Sequence, residues 1–181
     1  MTITSIRTAA ADETAALVAV QRTIARPAVV RGARVLSSFG EHAAGWLAIG
    51  AVGALVDRRR RADWIAAAAG VAAAHGASIA VKRVVRRQRP QHPDVRVLVG
   101  TPSRLSFPSA HATSTTAAAV IYGALLRRRL VPVLVPPMLA SRLVLGVHYP
   151  TDVVAGSVLG AAVGAGVRHW LRRRWLRGAD R

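Results

Sequence analysis

The 181-residue sequence contains no cysteine and only eight acidic residues, and its aromatic content is 4%. The absence of thiols excludes a disulfide framework, a zinc–thiolate site and cysteine-based catalysis. The scarcity of aromatics and the lack of any recognition motif argue against a nucleic-acid partner, although a basic chain can have one. Residues 1–12 are polar and do not resemble a signal peptide, so membrane insertion is expected to depend on internal segments.

Apolar residues make up 52% of the chain, yet the formal net charge is +18. Apart from Lys82 the basic residues are arginines, and they concentrate at 58–61, 82–89, 127–129 and 168–177. Apolar segments rich in alanine and valine separate these clusters. This alternation is typical of a membrane protein with several spans and basic loops, and the length fits one domain.

The apolar segments predict an all-α fold, a polytopic membrane helical bundle with about five spans. Each segment has roughly the 20 residues that cross a bilayer. In the last span Gly156, Gly160 and Gly164 follow an i, i+4 spacing that predicts close packing against a neighbouring helix. The predicted spans are 36–56, 64–81, 109–126, 130–147 and 150–167.

The two ends of the chain differ in composition from the spans between them. Residues 1 to about 11 are predicted to be a flexible tail. An amphipathic interfacial helix follows over 12–30, bent or ended by Pro27. We therefore expect an N-terminal tail and amphipathic helix over 1–35, a membrane domain over 36–168, and a basic C-terminal tail over 169–181.

Helices that each cross the membrane once must alternate in direction. Under this rule the helix ends near Val81, Ser109, Val147 and Pro150 lie on one face of the membrane. The arginine clusters that begin at positions 58, 127 and 168 lie on the other face. The counts of arginine and lysine on the two faces are close, and the second face is moderately richer once Lys82, Arg89 and Arg142 are set aside as explained by chemistry. The positive-inside rule then puts the first face on the extracytoplasmic side.

Three polar segments meet on that first face in this prediction. Cations next to the N–H groups of a helix start form an anion site, most naturally for phosphate. A histidine with a carboxylate at i+4 is commonly held in one tautomer by it. The segments are Lys82-x6-Arg89-Pro90, Pro108-Ser109-Ala110-His111 and Ser141-Arg142-x5-His148-x3-Asp152.

The two histidines of these segments suit separate chemical tasks. His148 is the better candidate nucleophile, because Asp152 can hold its far ring nitrogen. His111, at a helix start beside the phosphate, is the better general acid. The cations offset charge on the phosphate oxygens in the transition state. No carboxylate cluster suited to Mg²⁺ accompanies these residues, so the sequence predicts metal-free chemistry that needs no cofactor.

The three segments resemble the signature motifs of the type 2 phosphatidic-acid phosphatase superfamily, in order and with matching spacing. One departure is Ala110, which stands where the motif has glycine. The resemblance implies an acid phosphatase/vanadium haloperoxidase-like helical core and a phosphohistidine intermediate on His148. It implies His111 as the acid and Asp152 as the orienting partner of His148. It further implies a phosphate pocket formed by Lys82, Arg89, Ser109, Ala110 and Arg142.

In length and in the segment Ser-Phe-Gly-Glu-His at 38–42, the chain is most similar to short actinobacterial decaprenylphosphoryl-5-phosphoribose phosphatases of this superfamily. This similarity implies hydrolysis to decaprenylphosphoryl-ribose for cell-wall arabinan synthesis, at the plasma membrane. Polyprenyl diphosphates and phosphatidylglycerophosphate remain open as alternative substrates. The apolar spans argue against a vanadate-dependent haloperoxidase, and the intact set of histidines, aspartate and cations argues against a non-enzymatic lipid-phosphate binder.

Several polar residues near the predicted site fall outside the three segments. For Glu41 and His42 two interpretations remain open, namely contact with the substrate head group and an interfacial pair that ends a helix. His75, within an apolar segment, is interpreted as a packed, hydrogen-bonded residue. The other arginines of the 82–107 loop are interpreted as solvated or lipid-binding charges, and they are Arg83, Arg86, Arg87, Arg96 and Arg104.

Overall fold

The computed structural model describes residues 3–179, and within this range every regular element is a helix, which confirms the all-α fold class. Short 3₁₀ turns at Glu41–Ala43 and Arg58–Arg60 precede α3 and α4. The seven α-helices are α1 Ile3–Ile24, α2 Pro27–Gly40, α3 Ala44–Val56, α4 Arg61–Val85, α5 Ala110–Leu126, α6 Val131–Val144 and α7 Pro150–Ala179.

Helix α5 forms the centre of the bundle and contacts α4, α6 and α7. Every residue from Ala112 to Ala119 is buried, although four of them carry hydroxyl groups. Thr113 and Ser114 donate to backbone carbonyls one turn earlier, at 2.9 and 3.0 Å, and Thr115 accepts from the indole of Trp46 at 3.1 Å. These bonds satisfy three of the four hydroxyl groups, which would otherwise be costly to bury, whereas Oγ1 of Thr116 has no hydrogen-bond partner among the described residues.

The glycine stripe of α7 packs directly on α5, as its spacing predicts. A Cβ atom on Gly160 would lie 2.3 Å from the carbonyl oxygen of Thr113, and one on Gly156 would lie 2.5 Å from that of Ser109. Any side chain at these positions would separate the two helices. The close approach holds the start of α7 beside the start of α5.

Within residues 3–179, three helical stretches are long and apolar enough to cross a membrane, namely Pro27–Val56, Arg58–Val85 and Pro150–Arg177. Helices α5, with 17 residues, and α6, with 14, are shorter than the spans predicted for them. Because α5 is enclosed by protein along most of its length, it has little lipid-facing surface to match to a bilayer. The chain is therefore a membrane protein built around an internal helix.

The helix ends differ from the predicted ones in four places. Helix α1 begins at Ile3 where a flexible tail was predicted, and residues 1–2 lie outside the described range. Helix α7 continues to Ala179, because no proline or glycine interrupts 167–177. Helix α4 extends to Val85 and so carries Lys82. The first predicted span is broken between α2 and α3, where His42 and Ala43 have positive φ angles of 49° and 60°.

Candidate active site

The polar segments identified in the sequence lie together at one end of the bundle. The loop between α4 and α5 folds back on itself through a hydrogen bond from Arg89 N to Arg104 O (3.1 Å), and Ser109 N donates to Asp152 O (2.9 Å). A cavity of about 320 Å³ opens between these segments. Six residues of the predicted site line it, and they are Lys82, Arg89, Ala110, His111, Arg142 and His148.

His148 lies between α6 and α7 with its two ring nitrogens in different surroundings. Nε2 is 3.2 Å from Nη1 of Arg89, and Nδ1 is 3.5 Å from Oδ2 of Asp152. Because an arginine only donates hydrogen bonds, Nε2 is the unprotonated nitrogen and Nδ1 carries the proton. The lone pair of Nε2 therefore faces Arg89 and the cavity, and the N–H group faces the carboxylate.

The His148 imidazole is neutral in this arrangement. Its side chain is 3% exposed, and burial lowers its pKa to about 3 despite the opposing effect of Asp152. At neutral pH the ring therefore carries no charge, and the Nε2 lone pair is available to an electrophile. Asp152 itself is held by the backbone N–H of Tyr149, which donates to Oδ2 at 2.8 Å.

Arg142, near the end of α6, has an unmet hydrogen-bonding requirement. The residue is 2% exposed, and its Nε donates to Oγ of Ser141 at 3.2 Å. Its Nη2 has no hydrogen-bond partner in the part of the chain that the structure describes. A buried guanidinium with a free N–H group is costly unless an acceptor completes it. Since Arg142 lines the cavity, an oxyanion such as phosphate is the ligand that its geometry suits best.

Lys82 is engaged with the protein backbone. Its Nζ donates to the carbonyl oxygens of Leu105 (3.2 Å), Ser106 (3.1 Å) and Pro108 (2.9 Å). These three bonds match the three N–H groups of the ammonium. Lys82 thus fastens the end of the α4–α5 loop and brings its positive charge next to the start of α5.

Ser109 and Ala110 occupy different positions at the start of α5. Ser109 is fully buried, and its Oγ caps the helix by accepting from the N–H of Ala112 at 3.4 Å. Ala110 is the first residue of the helix and lines the cavity. The first N–H groups of a helix lack intrahelical acceptors and carry partial positive charge, so this helix start adds backbone donors to the cavity.

His111 lines the cavity and lies against the end of α2. Its Nε2 is 2.9 Å from the carbonyl oxygen of Ser37, which requires a proton on that nitrogen, and 3.9 Å from Oε2 of Glu41. Burial and the charge of Arg142 lower the pKa of His111, and the hydrogen bond to Ser37 opposes them. A Cβ atom on Gly40 would lie 2.6 Å from Cδ2 of His111, so the ring fits here because position 40 has no side chain.

The arrangement of these residues agrees with the comparisons to known proteins. The family model for the PAP2 superfamily matches residues 63–176, more than half of the chain. The chain belongs to the PAP2 superfamily. A transmembrane PAP2-type phosphatidylglycerolphosphate phosphatase from Bacillus subtilis shares the fold, with a TM-score of 0.75 at 23% identity over 92% of this chain and 87% of that one.

Two relatives named decaprenylphosphoryl-5-phosphoribose phosphatase match most of this PAP2 chain. The protein from Mycolicibacterium smegmatis is 62% identical over 145 residues, which cover 80% of this chain and 81% of the relative. The protein from Mycobacterium tuberculosis is 55% identical over 154 residues, which cover 84% and 87%. This PAP2 protein is therefore a membrane phosphatase of the lipid-phosphate class, in the group of phosphoric monoester hydrolases.

Positive charge in the cavity of this PAP2 protein comes from side chains and a helix start. Within residues 3–179 no group of three or more histidine, cysteine, aspartate or glutamate side chains is placed to hold a metal ion. The donors that face a ligand are instead those of Arg89, Arg142 and the first turn of α5. This set suits a phosphate group directly.

The far wall of the cavity carries polar groups beyond the three motifs. Glu41, His42 and His75 line it, and the rings of the two histidines lie 6.4 Å apart. Nδ1 of His75 is buried and has no hydrogen-bond partner among residues 3–179, which differs from the packed and hydrogen-bonded state predicted for it. These groups face the space next to His111, where the remainder of a bound phosphate ester would lie.

Gly40 is a residue of the site whose importance the sequence signals only weakly. It lies within the 38–42 segment that carries the closer family resemblance, but no periodicity marks it as a contact of His111. We expect Gly40→Ala to lower kcat about tenfold to a hundredfold, because the added methyl group displaces His111 from the cavity. The matched control is Gly32→Ala, on the exposed side of the same helix, where a Cβ meets nothing within 4 Å. Equal rates for the two variants would contradict this role.

Proposed function

We propose that this protein removes the 5-phosphate of decaprenylphosphoryl-5-phosphoribose and so produces decaprenylphosphoryl-ribose for cell-wall arabinan synthesis. The choice of substrate rests on the two relatives of that name, at 62% and 55% identity over most of both chains. The mechanism rests on one observation above all. The unprotonated Nε2 of His148 faces a cavity that also holds Arg89 and the partnerless Nη2 of Arg142.

In the first step Nε2 of His148 attacks the phosphorus atom and forms a P–N bond. The bond from phosphorus to the ribose oxygen breaks, and the imidazolium of His111 donates a proton to that leaving oxygen. Asp152, whose Oδ2 lies 3.5 Å from Nδ1 of His148, is proposed to stabilise the positive charge that the ring acquires as the phosphohistidine forms. The carbonyl of Ser37 and the negative charge of the bound phosphate are proposed to favour the protonated form of His111 before this step, against the effect of burial in the free protein.

In the second step water replaces the histidine. The neutral His111 accepts a proton from a water molecule, whose oxygen attacks phosphorus, and the P–N bond breaks with its electron pair returning to Nε2 of His148. Inorganic phosphate leaves, and both histidines return to their starting states.

Charge on the phosphate oxygens is offset by Arg89, Arg142 and the backbone donors at Ala110. Lys82 places its positive charge next to the start of α5 and fixes the preceding loop by its bond to the carbonyl of Pro108. Ser109 caps the start of α5. These groups supply the electrostatic stabilisation that a metal ion provides in other phosphatases, so the proposed reaction is metal-independent and needs no cofactor. Glu41 and His42 are proposed to contact hydroxyl groups of the sugar that carries the phosphate.

Phosphate release from a panel of lipid phosphates tests this proposal. The panel contains decaprenylphosphoryl-5-phosphoribose, a polyprenyl diphosphate and phosphatidylglycerophosphate, each with and without a chelator in purified detergent-solubilised protein. We expect the phosphoribose lipid to have the highest kcat/KM and the chelator to leave its rate unchanged. A preference for another lipid would replace the proposed substrate, and loss of activity with the chelator would refute metal independence.

We also propose that the cavity opens on the extracytoplasmic face of the plasma membrane, as the positive-inside rule indicates. Since the native chain has no cysteine, single cysteines report on each face without background. A membrane-impermeant maleimide is expected to label Asp94→Cys, in the exposed α4–α5 loop, in intact cells. It should label Arg59→Cys, at the exposed opposite end, only after lysis. The reverse pattern would place the cavity on the cytoplasmic side.

A further inference from the structure

The N-terminal helix α1 is docked onto the active-site end of the bundle. Leu17 is fully buried and Gln21 is 3% exposed. The amide of Gln21 donates to the carbonyl oxygens of Arg96 (2.7 Å) and Val144 (3.0 Å) and accepts from Arg96 N (2.9 Å). An amphipathic helix that contacted only lipid would not bury the Gln21 amide between the α4–α5 loop and the end of α6. Helix α1 is thus fixed in register against both.

One turn before Leu17, Glu13 joins this docked helix to the segments of the site. Its Oε1 accepts from the backbone N–H of Thr151 at 3.1 Å and from the hydroxyl of the same residue. Its Oε2 accepts from Nη2 of Arg87, and the two side chains are 18% and 26% exposed. The carboxylate therefore bridges the start of α7 and the α4–α5 loop from outside.

Arg87 connects Glu13 to the catalytic carboxylate. Its Nη1 donates to Oδ1 of Asp152 at 3.1 Å and to Oγ1 of Thr151 at 2.7 Å, and its guanidinium lies 4.1 Å over the ring of Tyr149. Arg87 is therefore bound to protein groups. This differs from the solvated or lipid-binding charge that its place among the loop arginines had suggested. It stands between two carboxylates and touches both.

The bond to Arg87 fixes the rotation of the Asp152 carboxylate. With Oδ1 held by Arg87, Oδ2 is directed to the N–H of Tyr149 and to Nδ1 of His148. Asp152 is fully buried. Without Arg87, its Oδ1 would lose the charged group that holds it, and the carboxylate would be free to turn. A rotated Asp152 carboxylate would no longer keep the His148 ring in the orientation from which Nε2 attacks phosphorus.

We propose that Glu13 and Arg87 are positioning residues for His148. The contacts run from α1 through Glu13, Arg87 and Asp152 to Nδ1 of the histidine, so docking of the N-terminal helix becomes part of the catalytic arrangement. An arginine suits the middle position because its planar fork presents separate N–H groups to two acceptors, whereas lysine is a single point charge. The proposal rests on His148 being the nucleophile of the proposed function.

The test compares Glu13→Gln, Arg87→Gln, the double variant and Arg87→Lys in purified protein. We measure kcat and KM for the preferred lipid phosphate and the melting temperature. The matched controls are Asp12→Asn and Arg86→Gln, the exposed neighbours of the two residues. Each single glutamine variant is expected to lower kcat about tenfold with KM within about twofold of wild type. Arg87→Lys should recover part of the loss, and the controls should match wild type.

The double variant decides whether the two residues act as one unit. If they do, its kcat is expected to equal that of Arg87→Gln, because removing Glu13 costs nothing more once Arg87 is gone. Additive losses, a change in KM alone, or a loss that merely follows a lower melting temperature would each overturn the proposal. His148→Ala is assayed alongside. If that variant stays active the proposed nucleophile fails, whereas if it is inactive and both glutamine variants match wild type, only the positioning role fails.

Discussion

Replacing His148 with alanine is expected to lower phosphate release from the lipid substrate by about 10⁴-fold or more. The variant lacks the nitrogen that forms the covalent bond in the proposed mechanism. Steady-state phosphate release under substrate saturation measures the loss. Binding should persist, because the arginines and the start of α5 remain in place.

The matched control is His92→Ala. His92 lies in the exposed part of the α4–α5 loop at the same end of the molecule, so its variant tests for a general effect of losing a histidine there. We expect it to retain the wild-type rate. If His148→Ala kept more than a few per cent of that rate while remaining folded, the covalent mechanism would be wrong.

Replacing His111 with asparagine is expected to slow single-turnover cleavage of the lipid substrate roughly 10²- to 10⁴-fold. A sugar alkoxide is a poor leaving group and needs the proton that His111 supplies. Asparagine is polar and smaller than histidine, so it fits at position 111 without a steric clash, although its shorter side chain does not reproduce the bond from Nε2 to the carbonyl of Ser37. Rapid-mixing measurement of the first turnover isolates this step from product release.

An activated aryl ester distinguishes a role of His111 as proton donor from a role as phosphate ligand. Nitrophenolate leaves without protonation, so His111→Asn should release the first equivalent of nitrophenol from nitrophenyl phosphate within about tenfold of the wild-type rate. Later turnovers should be slow, because hydrolysis of the phosphohistidine needs His111 as a base. Equal first-turnover losses for the lipid and the aryl ester would mean that His111 binds the phosphate and does not donate a proton.

The sequence predicts the architecture well because helix periodicity and motif spacing are both local signals. Alternating helix directions require the ends near Ser109 and Val147 to meet, and the structure brings both to one cavity. The spacing from His148 to Asp152 likewise predicts that the carboxylate lies near the ring, and Nδ1 of His148 lies 3.5 Å from Oδ2 of Asp152. These relations depend on few long-range contacts and so can be read from the chain.

Other features of the site depend on contacts between distant segments. Arg87 is 65 residues from Asp152 and 74 from Glu13, and nothing in its own segment distinguishes it from Arg86. The three carbonyl partners of Lys82 depend in the same way on how the following loop folds back. In both cases the sequence shows that a positive charge is present, but the partner of that charge depends on the tertiary fold.

The break in the first predicted span has a similar origin. Apolar content alone makes 36–56 look continuous, but the positive φ angles at His42 and Ala43 turn the chain there. This turn places Ser37, Gly40 and Glu41 next to His111. Such a conformation is unfavourable for residues with side chains, and the surrounding contacts must compensate for it. Propensity rules therefore could not predict it.

The most direct test of the account is to trap the covalent intermediate. Protein mixed with substrate carrying a radiolabelled 5-phosphate is quenched in base within the first turnover, digested and mapped. We expect an acid-labile, base-stable label on the peptide that contains His148, formed without added metal and absent from His148→Ala. Phosphate release with no label on the protein, or a label on a different residue, would contradict the proposed mechanism.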